Sequence, residues 1–191
     1  MTASSATMVA PLAAMRSIDS TNSVIYIGTF SKSMFPSMRI GYFVLPESLV
    51  GTFRSAIASF ARSTSVLDQE TLAHFIDEGY FSAHIRQMQN VYGARRKLFT
   101  ERAAQILPGL LDMEIPDSGM NAIGWLPPGT DDAEISERGR EAGVTSFPIS
   151  LFRERSSSRS GLLLGFASVK EAELDENLLI LARVLEQSGL G

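Results

Sequence analysis

Two strand-like segments separated by a very short connection constrain this chain most. "SVIYIGTF" (23–30) and "RIGYFVLP" (39–46) are rich in β-branched and aromatic residues, which is typical of strands. The residues between them, "SKSMFPSM" (31–38), include Pro36 and are too few for a helical crossover, which takes about a dozen residues. We therefore predict that the two strands are antiparallel neighbours joined by a loop.

That loop carries a lysine, in a chain that has few of them. Three lysines stand against fourteen arginines, so Lys32 is not generic surface charge. In an apolar setting the ammonium is disfavoured and the pKa of a lysine falls, which leaves a neutral amine that can attack a carbonyl. For this reason we expect the Lys32 nitrogen to be nearly buried.

The residues around Lys32 add a second chemical pattern. Thr29, Ser31 and Ser33 offer hydroxyls and Arg39 offers a planar guanidinium, and such groups bind phosphate. An aldehyde held by a lysine beside a phosphate held by an arginine describes pyridoxal 5′-phosphate. A lysine between serines is also ordinary for a solvated loop, so the dipeptide alone leaves both interpretations open.

The rest of the chain alternates between helices and short strands. We predict helices from Pro46 to Phe60, from about Asp68 to Gly79, and over 80–107. Beyond residue 108 the pattern indicates a small α/β domain with mostly antiparallel strands and Trp125 in its core. The predicted strands and helices of this part are "LLDMEI", "MNAIGW", "DDAEISERGREAGV", "TSFPIS", "SGLLLGFASV" and "LDENLLILARVLEQSG".

Composition excludes several classes of site. The net charge is −4, which argues against a dedicated nucleic-acid surface. The chain has no cysteine and two histidines, so we predict no disulfide and no metal site. No apolar run approaches the roughly 18–20 residues that span a bilayer, and no basic residues precede the apolar N-terminus as in a signal peptide. We therefore expect a cytoplasmic protein without a membrane segment.

Four stretches of the sequence carry a family resemblance. "YIGTFSKSMFPSMRIGYFVLP" (26–46) resembles the cofactor-lysine segment of fold-type I enzymes that use pyridoxal phosphate, the aspartate aminotransferase superfamily. More narrowly, it is similar to the aminotransferase-like domain of the MocR branch of GntR-type transcriptional regulators, and to 2-aminoadipate aminotransferases. The similarity continues through the helical region 67–99 and through "GWLPPG" (124–129) and "GLLLGFASV" (161–169).

The resemblance implies a fold and a set of residue roles. The fold would be α/β: the tail of a fold-type I large domain over 1–67, interdomain helices over 68–107, and a small α/β domain over 108–191. Lys32 would bond covalently to pyridoxal phosphate, Arg39 and Ser31 would hold its phosphate, and Thr29 would assist. The family's sites lie at subunit interfaces, which implies a homodimer. Its ligands are small amines or amino acids.

The sequence also departs from the family pattern. It offers no counterpart of the winged-helix DNA-binding domain, nor of the front of the aminotransferase-like domain, which supplies an aspartate and a stacked aromatic to the cofactor ring. Leu163 stands where relatives carry the arginine that binds a substrate carboxylate. One of Arg153, Arg155 and Arg159 could replace it, or these three could simply line a solvated loop. Met120 and Asn121 also occupy substrate-side positions.

Three functional interpretations follow from the resemblance. In the first, the chain is the C-terminal portion of a MocR-type regulator, in which an amino ligand displaces Lys32 from the cofactor carbon and the resulting change reaches the DNA-binding domain. In the second, it belongs to a class I/II aminotransferase of the 2-aminoadipate type, an interpretation that Leu163 weakens. In the third, it is a non-catalytic fragment that binds no cofactor. We do not expect catalysis by these residues alone.

Overall fold

The segments on either side of Lys32 pair as their short connection requires. The computed structural model describes residues 13–60, 65–117, 119–153 and 159–190. Within it, β1 (Tyr26–Thr29) and β2 (Gly41–Val44) form a two-stranded antiparallel sheet. The Phe30 N–H donates to the Ile40 carbonyl at 3.0 Å, which closes the connection just beyond the strands. The predicted pairing is confirmed, although both strands are shorter than predicted.

The predicted helices are also confirmed, with small shifts at their ends. The long amphipathic pattern forms a single helix of 27 residues. A short N-terminal helix was not predicted, because one turn is too short to show an apolar periodicity. In this half of the chain the helices are α1 (Met15–Ile18), α2 (Glu47–Phe60), α3 (Val66–Asp77) and α4 (Tyr80–Ile106).

The second half contains a four-stranded sheet and two helices. The strand order is β3–β4–β6–β5. All neighbouring strands are antiparallel, which agrees with the predicted mostly antiparallel arrangement. Residues 154–158 of the predicted polar loop lie outside the described residues. The elements are β3 (Asp112–Glu114), β4 (Asn121–Trp125), α5 (Asp132–Glu141), β5 (Phe147–Pro148), β6 (Gly161–Gly165) and α6 (Glu171–Gln187).

The structure divides into two compact units, Met1–Gln87 and Met88–Gly191, and the boundary falls inside α4. The division into 1–67, 68–107 and 108–191 that the resemblance implies stays a prediction. None of the helices in the described part of the chain is long and apolar enough to cross a membrane.

In the first unit, aromatic rings pack together on one face of the β1–β2 sheet. Tyr42 pairs with Gly28, and its ring lies over that glycine between Tyr26 and Phe30, with centroid distances of 6.0 and 5.5 Å. Phe30 in turn contacts Phe81 of α4, edge to face, at 5.7 Å. A side chain at position 28 would overlap the tyrosine ring, which would then have to move.

A single carboxylate organises the turn that leads into β1. Asp19 accepts hydrogen bonds from the N–H groups of Thr21, Ser23 and Val24 at 2.8–2.9 Å. These bonds, the one from Val24 above all, lower the pKa of Asp19 well below its ordinary value because they stabilise the charged form. The turn thereby fixes where the first strand starts.

The second unit has one continuous core. The inward residues of the sheet, such as Ala122, Leu162 and Leu164, pack with Leu181 of α6 and Phe99 of α4. The assignment of Trp125 to this core was wrong. Strand side chains alternate between faces, and since Ala122 and Gly124 point inward, Trp125 lies half-buried on the outer face and donates from Nε1 to Glu114.

A buried carboxylate connects three elements of this unit. Asp132, at the start of α5, is 2% exposed and accepts from the N–H groups of Ser150 and Gly161 at 3.1 and 3.2 Å. Burial raises the pKa of Asp132, but these hydrogen bonds and the charge of Arg153 outweigh burial and leave the pKa below its ordinary value. The carboxylate is therefore charged in the folded unit at neutral pH.

We expect Gly28→Ala to lower the free energy of unfolding by about 1–3 kcal/mol, because the new methyl group would lie 2.3 Å from Cζ of Tyr42. Gly51→Ala is the matched control: it lies in α2 with no atom near the added methyl, so it should raise stability by about 0.5–1 kcal/mol. Urea denaturation of both variants tests this. Equal effects of the two substitutions would contradict the described packing of Tyr42.

Asp132→Ala should lower the free energy of unfolding by about 2–4 kcal/mol at pH 7, because it leaves the buried N–H of Gly161 and the partly buried N–H of Ser150 without an acceptor. Asp117→Ala, which removes an exposed ion pair with Arg96, should cost less than about 1 kcal/mol. The folded pKa of Asp132 is lowered, so its contribution is complete above the ordinary carboxyl pKa and is lost as the pH falls through the folded value. A cost that stays constant down to pH 2 would contradict this assignment.

Candidate functional site

The turn after β1 carries Lys32 and is held by hydrogen bonds of its neighbours. Ser31 donates its N–H to the Thr29 hydroxyl at 3.2 Å, and the hydroxyls of these two residues are also 3.2 Å apart. The Met34 N–H donates to the Phe30 carbonyl at 2.8 Å, so the backbone makes one tight turn around Lys32. Two hydroxyl groups therefore lie at the base of the lysine turn.

Arg39 stands at the other end of the same connection in an unusual conformation. It follows a short 3-10 helix, Pro36–Met38, and has φ 49° and ψ 31°, the left-handed region. For a residue with a Cβ this conformation costs about 1–2 kcal/mol. A backbone outlier of this kind at a residue with a chemical role is a reason to suspect function.

The structure brings the four predicted site residues to one end of the β1–β2 sheet. The Phe30–Ile40 hydrogen bond closes the connection, Lys32 follows Phe30 by two residues, and Arg39 directly precedes Ile40. Within the described ranges, neither cation makes an ion pair or a hydrogen bond. An amine and a guanidinium without partners, next to two hydroxyls, are chemically suited to a ligand with an aldehyde and an anionic group.

The predicted burial of Lys32 was wrong for this chain. Lys32, Arg39 and Thr29 are exposed, and Ser31 is half-buried. The apolar residues of the loop do not enclose the lysine, since Phe35 is itself 49% exposed. An apolar sequence neighbourhood covers a side chain only where other elements pack above it.

Sequence reasoning missed the contact that His84 makes. Its Nε2 lies 2.9 Å from the carbonyl oxygen of Ser33, the residue after Lys32. A carbonyl only accepts, so Nε2 carries the proton in this contact. The signal was present in the sequence: His84 follows Phe81 by three residues, which places both on the face of α4 that meets the loop.

Tyr26 and Tyr42 interact with each other, as expected for packed strand residues. A hydrogen bond that the Tyr42 hydroxyl donates to Tyr26 raises the pKa of Tyr42, and partial burial raises it further. Tyr42 is therefore a neutral phenol at physiological pH. It supports the sheet that carries the lysine turn.

In the second unit, Leu163 lies beside a cavity of about 310 Å³. Leu163 pairs with Ile123 of β4 and Phe147 of β5, and Asn121 lines the same cavity, whereas Met120 packs against the core. The described lining contains no lysine, arginine or histidine. The cavity can accept an apolar group, but it offers no cation to a carboxylate.

Two of the three arginines that could replace the missing arginine at Leu163 make contacts elsewhere. The guanidinium of Arg159 lies 2.7 Å from a carboxylate oxygen of Asp112 and 5.6 Å from the centre of the Trp125 ring. Arg153 donates to the Arg159 carbonyl at 3.2 Å, and Arg155 lies outside the described residues. These contacts hold Arg159 on the outer face of the sheet and do not favour a role in binding substrate.

In residues 13–60, 65–117, 119–153 and 159–190, no three histidine or carboxylate side chains come close enough together to hold a metal ion.

Comparison with curated proteins confirms the resemblance to MocR-type regulators. The sequence profile of the family described as aminotransferase class I and II matches residues 2–179. The chain is 33% identical over 182 residues to the probable rhizopine catabolism regulatory protein MocR of Rhizobium meliloti, covering 94% of this chain and 37% of MocR. It is 29% identical over 178 residues to the HTH-type transcriptional regulator TauR of Rhodobacter capsulatus, covering 90% and 35%.

Aminotransferases are also among the similar proteins. Aromatic-amino-acid aminotransferase 1 of Thermococcus litoralis is 25% identical over 177 residues, covering 93% of this chain and 42% of that protein. A kynurenine aminotransferase of Pyrococcus horikoshii, solved in complex with PMP, is 28% identical with a TM-score of 0.82, covering 91% and 43%. The predicted fold-type I α/β class is confirmed. The chain spans less than half the length of each of these relatives.

One prediction separates the backbone role of Arg39 from its side-chain role. Arg39→Gly should raise the free energy of unfolding by about 1 kcal/mol, because glycine adopts the left-handed region without strain. Arg54→Gly, an exposed position inside α2, should lower it by about 1 kcal/mol. Chemical denaturation measures both. A large loss of stability in Arg39→Gly would show that the guanidinium stabilises the fold.

Proposed function

Because the chain belongs to the aminotransferase class I and II family, we propose that it is the C-terminal portion of a MocR-type regulator of the GntR group that senses a small amine or amino acid through pyridoxal phosphate. The observation that carries the proposal is the closed connection between β1 and β2, with Lys32 and Arg39 near its two ends. The similarity to MocR, 33% identity in an alignment that covers 94% of the chain, supports the regulatory interpretation.

The groups of this connection fit pyridoxal phosphate. When bound, the cofactor supplies an aldehyde that condenses with amines and a ring that withdraws electrons. The unpartnered amine of Lys32 meets the first requirement. Arg39 meets the requirement for a phosphate ligand, because a guanidinium donates two parallel hydrogen bonds to adjacent phosphate oxygens. The hydroxyls of Ser31 and Thr29, 3.2 Å apart, can donate to the same phosphate.

The sensing step follows from the position of Lys32 in a turn. When the cofactor is bound, an amino ligand would compete with Lys32 for its aldehyde carbon, and ligand binding would release the lysine side chain. Arg39 would continue to hold the phosphate. We propose that this local change is what a DNA-binding segment of the complete regulator responds to, as expected for relatives named HTH-type regulators.

An aminotransferase is the second candidate, favoured by the similarity to the enzymes of Thermococcus litoralis and Pyrococcus horikoshii. In that case Lys32 would also move a proton at the reacting carbon. Leu163 argues against the aminotransferase interpretation. The described lining of the cavity beside it has no charged side chain that could orient a substrate carboxylate. We therefore prefer the regulator to the aminotransferase as the proposed function.

We further propose that the partner is a second copy of the chain, that this part of the protein does not contact nucleic acid, and that it acts in the cytoplasm. Exposed apolar side chains in the first unit, among them Ile27 at 69% and Phe60 at 90%, support self-association. The net charge of −4 argues against a nucleic-acid surface, and the lack of cysteine agrees with a reducing compartment.

Addition of pyridoxal phosphate should produce a new visible absorbance band, and borohydride reduction followed by peptide mapping should place the adduct on Lys32. Lys32→Arg should abolish the band, and Lys97→Arg, at an exposed lysine of α4, should not. Arg39→Ala should weaken apparent affinity for pyridoxal phosphate about tenfold or more but leave reaction with phosphate-free pyridoxal unchanged.

Equal labelling of Lys32, Lys97 and Lys170 would contradict the proposed site and support a fragment that binds no cofactor. Release of a keto acid from amino acids would favour the aminotransferase.

A further inference from the structure

Resting on the proposed function, we propose that His84 is the positioning residue of Lys32: it holds the peptide group that follows the lysine against α4 and so sets where the amine is presented. The observation is the 2.9 Å contact between His84 Nε2 and the Ser33 carbonyl, which joins residues 51 positions apart in the sequence. This contact is a side-chain hydrogen bond from a helix to the backbone of the lysine turn.

Few described interactions join the lysine turn to elements other than β1 and β2. Its other described hydrogen bonds stay within the connection between β1 and β2. Met34 N–H and the Ser33 hydroxyl donate to the Phe30 carbonyl at 2.8 and 3.4 Å, and Ser31 N–H donates to the Thr29 hydroxyl at 3.2 Å. Such bonds shape the turn but leave it free to tilt as a body relative to the helix. Among the described residues, His84 makes the hydrogen bond that connects the turn to an element other than β1 and β2.

The helix contacts the turn at a second point. Phe81, one helical turn before His84, packs edge to face on Phe30 at 5.7 Å. The aromatic contact fixes the start of the turn and the histidine fixes its far side, so Lys32 lies between two supported residues. Two contacts from one helical face restrict the direction of a short turn far more than one contact does.

This arrangement explains how the position of Lys32 can be fixed although its side chain is exposed. Lys32 is exposed, and its side chain makes no hydrogen bond or ion pair with the described residues, so no polar contact holds it. The position of its Cα is set by the peptide groups on either side. A lysine whose backbone is fixed meets an aldehyde bound nearby more often than one on a loose turn does, because less conformational freedom is lost on reaction.

Three substitutions test the role. His84→Leu removes the donor with a similar volume, and His84→Gln retains an N–H at a similar reach from the backbone. His74→Leu, at the exposed histidine of α3, is the matched control. Circular dichroism establishes that all three variants are folded.

The first measurement needs no cofactor. Amide hydrogen exchange at Met34 should become about fivefold to tenfold faster in His84→Leu, as expected for the loss of one hydrogen bond, and should return to near the original rate in His84→Gln. Exchange at Phe30, whose N–H bonds to Ile40 within the sheet, should change little. Unchanged exchange at Met34 in His84→Leu would overturn the proposal, whether or not the chain binds pyridoxal phosphate.

The second measurement uses pyridoxal phosphate as the probe. The rate at which Lys32 forms the adduct, trapped as a secondary amine by hydride from borohydride, should fall about fivefold or more in His84→Leu and recover in His84→Gln. Labelling of Lys97 and Lys170 should stay the same in every variant. An adduct rate unaffected by His84→Leu, despite faster exchange at Met34, would reduce His84 to a packing residue and overturn the proposal.

If the unsubstituted chain forms no adduct at Lys32, the proposed function fails for this chain and the positioning of a reactive amine fails with it. The exchange data then still report whether the histidine holds the turn.

Discussion

The hydrogen bond between the Phe30 N–H and the Ile40 carbonyl is the constraint on which the candidate site depends. It closes a loop whose first residues carry the hydroxyls and Lys32 and whose last residue is Arg39. Without strand pairing, two cations would have no reason to stay near each other, because like charges repel and the loop has little core of its own. The pairing is supported by Tyr42 over Gly28 on one face of the sheet.

Much of the fold was predictable because it rests on local patterns. The eight-residue spacing with Pro36 set the antiparallel pairing, and the apolar periodicity of 80–107 set α4. The failures share one cause, which is that burial depends on elements distant in sequence. Lys32 is exposed because nothing in the described chain packs above it, and Trp125 faces outward because the register of β4 puts Ala122 and Gly124 inside.

The candidate site was predictable in composition and less so in geometry. The residue types around Lys32 and Arg39 indicated their chemistry, since only a few cofactors combine an aldehyde with a phosphate. The sequence carries no signal for the left-handed backbone of Arg39, and it indicates the contact from His84 to Ser33 only through the spacing of His84 and Phe81 on α4. Each arises from a tertiary arrangement: a 3-10 turn that must reverse direction into β2, and a helix that passes the lysine turn 51 residues later in the sequence.

The conformation of Arg39 also bears on which substitutions this position can accept during evolution. Every arginine codon is one base change from a glycine codon, and glycine is the residue that the local backbone geometry favours. Selection for folding alone would therefore tend to replace the arginine by a short mutational path. Its presence in the sequence points to a use of the guanidinium outside folding, and a lineage that abandoned that use should lose the arginine before it loses the strands around it.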